Sequence, residues 1–175
     1  MNEVFNAYKT DSKLAVLFLQ SPNYSKRPEE VKPDKIVITV SPYNNVMDAA
    51  DELCISRRCR SSHYVVGCDG KVVQLVKECA RAWATNSRKV DNVSISIFVC
   101  SGGFPDWIVT DKAVESLGHL IGDICKRKKL DPTECISPYF CGASLLPQIP
   151  AAVAIAVSDI SKRKKKKESE KQLTD

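Results

Sequence analysis

The chain has 175 residues, of which 43% are hydrophobic and 27% charged, and this apolar share suffices for one buried core. No run of about 18 apolar residues occurs, so the sequence predicts no membrane span. The N-terminus carries Glu3 and Asp11 and lacks the basic start, apolar stretch and cleavage site of a secretory signal, so we expect an intracellular protein.

Most of the net charge of +5 lies at the C-terminus. Residues 161–175 hold seven Lys/Arg against three Asp/Glu, which leaves 19 against 18 in the remaining 160 residues. We therefore expect one nearly neutral domain over residues 1–160 and a basic, disordered tail over residues 161–175. The tail would allow nonspecific contact with nucleic acid or a membrane surface, and a solubilising role explains it equally well.

Eight cysteines raise the question of disulfides. No CxxC pair occurs, so neither a zinc ribbon nor a thioredoxin-like motif is indicated. Without a secretory signal and with a sizeable core, we expect reduced, buried thiols, as at Cys54, Cys100 and Cys125.

The first half of the chain alternates strand and helix patterns. Residues 14–19 fit a short strand or a helix, and a proline-containing loop follows over residues 21–33. Residues 35–40 are β-branched and predict a buried strand. Asn44 or Asn45 can then cap a helix whose apolar face begins at Val46 and which ends in a basic cluster over residues 57–60.

A hairpin is predicted next, with strands at residues 63–66 and 71–76 joined by a turn that contains Asp69 and Gly70. Residues 93–100 alternate as a strand. One helix should run from Thr110 or Asp111 to near Lys129, and another over residues 151–160. This order predicts a mixed α/β (α+β) domain, with a central, mostly β-sheet flanked by helices.

Several segments, in this order, resemble type 2 N-acetylmuramoyl-L-alanine amidases, which share a fold with peptidoglycan recognition proteins. Residues 61–70 read SSHYVVGCDG and are similar to the hairpin motif of that family, which is the most specific match. Residues 36–38 resemble its opening strand, residues 82–86 a following loop, and residues 94–100 the next strand. Residues 21–25 and 94–100 are most similar to clostridial phage and prophage members. The resemblance covers roughly residues 20 to 160.

The sequence departs from this family where the family binds zinc. By resemblance, Thr39 stands at the position of a zinc-binding histidine, and Phe98 at that of the active-site glutamate. The late His-Tyr-Asp motif aligns with residues 138–140, and the residues after it with Ser144 and Leu146. A catalytic zinc requires three protein ligands and an open water position. We therefore expect no zinc, no other cofactor and no amide hydrolysis.

The family's groove is nevertheless expected to survive as a ligand site. Aromatic residues there would stack on a sugar or base, and arginines, Arg58 among them, would meet an anion. The candidate ligand-binding residues are Thr39, Tyr43, Arg57, Arg60, His63, Trp83, Asn86, Phe98 and Tyr139. Each of these aromatic residues and arginines, taken singly, is also explained as an ordinary surface aromatic or a solvated charge.

Histidines and cysteines give little further indication of chemistry. For His63 a packing or hydrogen-bonding role is favoured over ligand contact, and His119 is expected to be a surface residue. A substitute metal site, or a Cys–His nucleophile, has no supporting spacing. The candidates for the metal site would be His63, Cys68, Cys100 and Cys141.

These observations favour a non-catalytic protein that binds a small ligand, either a muropeptide or an anionic nucleotide-type signal. If the gene belongs to a phage, such a protein would act in the bacterial cytoplasm and sequester a signal of host immunity. Two alternatives stay open, a hydrolase with relocated catalytic groups and an inhibitor module that binds a host protein. We do not expect nucleic acid as a partner except through the tail.

Overall fold

The structure, a computed structural model, describes residues 9–102, 108–137 and 146–172. Within these ranges, the strands are β1 (Ala15–Phe18), β2 (Tyr24–Lys26), β3 (Lys35–Ser41), β4 (Tyr64–Val66), β5 (Val72–Gln74), β6 (Ala80–Ala82) and β7 (Ser94–Cys100). The helices are α1 (Val46–Cys54), α2 (Arg88–Val93), α3 (Asp111–Lys128) and α4 (Ile149–Gln172), with 3₁₀ turns at Ser56–Arg58 and Leu146–Gln148. The expected α/β class is confirmed.

A five-stranded sheet with the order β1-β5-β4-β7-β3 forms the centre, and β2 pairs with β6 in a separate antiparallel ribbon. The hairpin β4–β5 is antiparallel, with Val66 opposite Val72, whereas β7 pairs in parallel with both β3 and β4. The hairpin prediction is therefore confirmed. Gly70 has φ +83° at the turn, a conformation that a side chain would disfavour.

Alternation along β7 divides the protein into two apolar cores. Ile95, Ile97 and Val99 pack with α3 and α4 on one face. Phe98 and Cys100 pack with α1 on the other. Because successive strand residues point to opposite faces, helices on both sides of the sheet leave β7 buried throughout.

The helix starts follow the predicted capping. Of the two candidates for α1, Asn45 is the N-cap, and its Oδ1 accepts from the Met47 N–H at 2.8 Å. Thr110 caps α3 by accepting from the Ala113 N–H at 3.2 Å. The segment at residues 14–19, open between strand and helix, contains the strand β1.

Helices α3 and α4 run in the same direction and pack closely. A Cβ added at Gly118 would lie 2.7 Å from the Ala152 carbonyl oxygen, so glycine is what allows this approach. Farther along, His119 Nδ1 lies 2.6 Å from Asp159 Oδ2. The half-exposed His119 thus bridges the two helices, a role that was not expected for it.

The helix α4 is longer than predicted, since it extends to Gln172 rather than ending near residue 160. Residues 161–172, expected to be disordered, are helical in this structure. Lysine, arginine and glutamate have high helix propensity, and a helix already started at Ile149 needs no new nucleus to continue.

A buried acid attaches the end of α3 to the segment between β5 and β6. Glu78 accepts a hydrogen bond from the Tyr64 hydroxyl at 2.7 Å and ion pairs from Arg127 at 2.7 Å and Lys128 at 2.9 Å. Burial opposes ionisation, but the bonds from Arg127 and Lys128 outweigh it and lower the pKa of Glu78 to about 2.

In the described ranges, no helix has the length and apolar character needed to cross a bilayer.

Candidate functional site

The two positions that the resemblance assigns to the metal centre are neighbours in the sheet. Thr39 on β3 pairs in register with Phe98 on β7, and Phe98 pairs with Val65 on its other side. Phe98 is 4% exposed and belongs to the core beneath α1. The phenyl ring therefore forms a largely buried apolar floor next to Thr39.

A cation lies over this floor. The guanidinium carbon of Arg60 is 5.4 Å from the centroid of the Phe98 ring, which is a cation–π contact. Arg60 is exposed, and no described residue forms a hydrogen bond or an ion pair with its guanidinium. Among the described residues, nothing occupies its donors.

The backbone beneath Arg60 is held in place by a buried amide. Asn23 is 2% exposed, and its Nδ2 donates to the Ile55 carbonyl at 2.9 Å and to the Arg60 carbonyl at 3.0 Å. Cys59 adopts φ 50°, which turns the chain out of the 3₁₀ segment just before Arg60. Residues 55–60 thus form a loop whose backbone is held by hydrogen bonds, and this loop positions Arg60.

The loop after β6 joins the same framework. The Ser61 N–H donates to the Trp83 carbonyl at 2.9 Å, and the Trp83 N–H donates to Ser61 Oγ at 3.0 Å. The Trp83 indole, however, donates to Ser25 Oγ at 3.0 Å, so this end of the ring already has a partner on β2. Asn86 is exposed with φ 56°, in a turn that Thr85 fixes through a 2.7 Å bond to Asp91.

The remaining predicted groove residues differ in availability. Arg57 is exposed and has no described partner, whereas Arg58 forms a 2.8 Å ion pair with Glu52. Tyr43 is half-buried and packs against the core beneath α1. Tyr139 lies outside the described residues, as do Cys141 and the other positions between 138 and 145 where the late motif was placed.

His63 is a buried residue with bonds at both ring nitrogens. It is 1% exposed, its Nδ1 accepts from the Ser96 N–H at 2.9 Å, and its Nε2 lies 3.2 Å from the Ala80 carbonyl. Burial, and then the neighbouring Arg27 charge, lower the pKa of His63 to about 4. The ring is therefore neutral near pH 7 and serves the packing of β4 against β7.

Arg27 completes this buried network, which could not be predicted from the sequence. The side chain is 4% exposed and donates to the carbonyls of Ala80 at 2.8 Å and Ser94 at 3.0 Å. It also donates to the carbonyls of Asp91 and Asn92. Arg27 and Asn23 lie in the proline-containing loop, which has no periodic pattern of apolar residues. No sequence pattern therefore marks these two residues as buried.

The described residues near Thr39 and Phe98 do not fit a zinc ion. A phenyl ring offers no donor for a metal, and the Arg60 cation would repel a dication placed over that ring. Cys68 and Cys100 are directed to the carbonyls of Tyr43 and Asn45. No group of three or more His, Cys, Asp or Glu side chains with metal-binding proximity occurs in the part of the chain that the structure describes.

Comparison with known proteins agrees with this architecture. The profile of the N-acetylmuramoyl-L-alanine amidase family matches residues 29–164. Among solved structures, PlyL is similar with a TM-score of 0.65 and 17% identity, over 83% of this chain and 97% of that one. The PlyG catalytic domain gives a TM-score of 0.64 and 20% identity, over 81% and 92% of the two chains.

An endolysin from Bacillus subtilis, solved as a mutant, gives a TM-score of 0.61 and 18% identity over 79% of this chain and 97% of that one. No curated protein matches the chain.

Proposed function

Because the chain belongs to the N-acetylmuramoyl-L-alanine amidase family, we propose that it keeps the family's groove as a binding site and does not hydrolyse amide bonds. One observation carries this proposal: the Arg60 guanidinium, which has no partner among the described residues, lies over Phe98, the position that by resemblance belongs to the family's active-site glutamate. On this proposal, the Arg60 cation supplies positive charge next to the position that the resemblance assigns to the metal centre.

The loss of hydrolysis follows from the chemistry of these side chains. A metal-dependent amidase needs a metal-activated water and a polarised scissile carbonyl. Thr39 is a poor substitute for a histidine ligand, and Phe98 cannot accept a proton. A guanidinium binds an anion without activating a nucleophile, because it stays protonated in proteins.

The expected ligand carries an anionic group next to a flat or apolar surface. Arg60 offers its donors to a carboxylate or phosphate, and Arg57 adds a second cation without a described partner. Phe98 supplies the apolar floor. Two ligand classes meet this description, namely muropeptides through their carboxylates and nucleotide-type signals through their phosphates.

The nucleotide form of the proposal gives the protein a biological role. If the gene is carried by a phage, a groove that holds a nucleotide without processing it would sequester a signal of bacterial immunity in the host cytoplasm. The phage-like character of residues 21–25 and 94–100 motivates this form of the proposal. The muropeptide form would instead make the chain a recognition protein.

Binding can be tested by isothermal titration of the full-length protein with a muramyl tripeptide and with a panel of cyclic dinucleotides and ADP-ribose derivatives. We expect one class to bind at micromolar concentration, and Arg60→Ala to weaken that binding at least about tenfold. Arg58→Ala is the matched control, because Arg58 lies two residues away but is engaged by Glu52.

Catalysis can be tested on the same preparations. Zinc content and the release of peptide from peptidoglycan are measured with and without EDTA, and we expect substoichiometric zinc and no EDTA-sensitive release. One zinc per chain with EDTA-sensitive turnover would establish a working hydrolase. No binding of either ligand class, together with co-purification of a host protein, would instead favour the inhibitor module.

A further inference from the structure

Two buried thiols meet where α3 ends. Cys125 lies in the last turn of this helix and Cys135 in the segment that returns toward β3, and their sulfur atoms are 3.4 Å apart. Their exposed fractions are 0% and 3%. Among the described cysteines this is the pair with a direct sulfur–sulfur hydrogen bond, and the described cysteines are all unbridged.

The backbone fixes both cysteines in this position. The Cys125 carbonyl accepts from the Leu130 N–H at 2.9 Å, and Lys129 closes the helix with φ 59°. The Cys135 N–H donates to the Asp131 carbonyl at 3.0 Å, and its own carbonyl accepts from Ile36 at 2.8 Å. The two thiols are therefore presented to each other by the helix end on one side and by the edge of β3 on the other.

We propose that Cys125 and Cys135 form an intramolecular disulfide when the protein meets a peroxide, so that this pair is a site of covalent modification. The link would close a short loop from the last turn of α3 to the residue that bonds to the start of β3. A disulfide needs a sulfur–sulfur distance of about 2.05 Å, so the sulfurs must approach by a little over about 1 Å, which side-chain rotation supplies.

The reaction consumes one molecule of hydrogen peroxide per bond. Cys135 loses its proton, the thiolate attacks the peroxide and the O–O bond breaks. A sulfenic acid forms, and the leaving hydroxide takes up that proton to give one water. The Cys125 sulfur then attacks the sulfenic sulfur, the S–O bond breaks, the S–S bond forms, and a second water leaves. Two thiols are oxidised and the peroxide is reduced to two waters.

The opposite pKa shifts of the two neighbouring thiols favour these roles. The bond from Cys125 lowers the pKa of Cys135, so that Cys135 is the more readily ionised sulfur. The same contact with Cys135, followed by burial, raises the pKa of Cys125. The small size and neutrality of the peroxide suit a pair that is only slightly exposed.

The test uses the full-length chain with Cys59→Ser and Cys79→Ser, which removes the two cysteines seen as exposed. After peroxide treatment and alkylation, peptide mapping should recover residues 125 and 135 in one cross-linked species that is lighter by about 2 Da and is restored by dithiothreitol. The melting temperature should rise by roughly 5–10 °C. A Cys135→Ser control in the same background should show neither change.

Recovery of Cys125 and Cys135 as two alkylated thiols after treatment, or as separate sulfonic acids, would overturn the proposal. A cross-link of either residue to another cysteine would also overturn it. The peptide map of the peroxide-treated Cys59→Ser, Cys79→Ser protein decides between these outcomes by itself. The test therefore remains valid even if the Cys135→Ser control folds poorly.

Discussion

At the start of β7, Arg27 and His63 are buried and bonded to the carbonyls and hydroxyls around them, whereas at Phe98 in the same strand the Arg60 guanidinium is exposed and has no described partner. Both regions place a cation near the sheet. In the first, hydrogen bonds from Arg27 join the segment after β2 to β6, to α2 and to the start of β7, although the buried Arg27 Nε has no hydrogen-bond partner among the described residues. In the second, the donors have no partner among the described residues, and this difference separates a structural cluster from the binding site that we propose.

Replacing Arg27 should have the largest effect on the stability of the protein. Arg27→Met removes the hydrogen-bond donor to four backbone carbonyls, and the hydrogen bonds to the Asp91 and Ser94 carbonyls are buried. We therefore expect the free energy of unfolding to fall by about 3–5 kcal/mol. Urea denaturation measures it, with Arg60→Met as the matched exposed control. Equal losses in the two variants would remove the distinction between the regions.

A second effect should appear at acidic pH through Glu78. Its pKa is about 2 in the folded protein and 4.5 ordinarily, so the folded state favours the carboxylate. Because the folded pKa is depressed, this contribution is complete above pH about 4.5 and is lost as the pH falls toward about 2, by about 3 kcal/mol. Glu78→Gln should lower stability at pH 7 and flatten the dependence in this window. A variant as pH-sensitive as the wild type would contradict the assignment.

His63 should act in a higher pH window. Its folded pKa of about 4 lies below the ordinary 6.5, so the unfolded chain binds a proton that the folded protein excludes. The stability is therefore complete above pH about 6.5 and falls by roughly 2–3 kcal/mol as the pH drops to about 4. Denaturation of His63→Gln between pH 7 and 4 tests this. If His63→Gln lost as much stability between pH 7 and 4 as the wild type, the pH dependence would have to come from other groups.

Arg60→Met should change stability least, by less than about 0.5 kcal/mol beyond the lost contact with Phe98, because the guanidinium is solvated in both states. Its effect is expected on ligand binding. Denaturation and titration of one preparation separate the two readouts. A large loss of stability without a loss of binding would show that Arg60 is a structural residue, as Arg27 is.

Local patterns in the sequence anticipated the elements well but the buried polar network not at all. Helix caps and the Asp-Gly turn depend on residues within a few positions of each other, and all of these were found where predicted. Asn23 bonds to residues more than 30 positions away. No periodicity encodes such a contact, because it exists only once the loop and the sheet are assembled.

For the candidate site, the sequence identified the substitutions and the structure decided their arrangement. Thr39 and Phe98 were identified by resemblance to the strands of the amidase family, and the pairing of β3 with β7 makes them neighbours. From the sequence, His63 was one of the groove candidates although a packing role was favoured for it, and Arg60 was one arginine among several. The fold buries the first and places the second over the Phe98 ring.

The class of fold, the chain order of the longer strands and helices, and the family could be predicted from the sequence, because they follow from short-range periodicity and from motifs that are continuous along the chain. The short elements β2, β6 and α2 were not predicted. Tertiary structure alone decided which charged groups are consumed by the fold and which remain available. The physical reason is burial: the energy of a charge depends on every segment packed around it, and those segments come from distant parts of the chain.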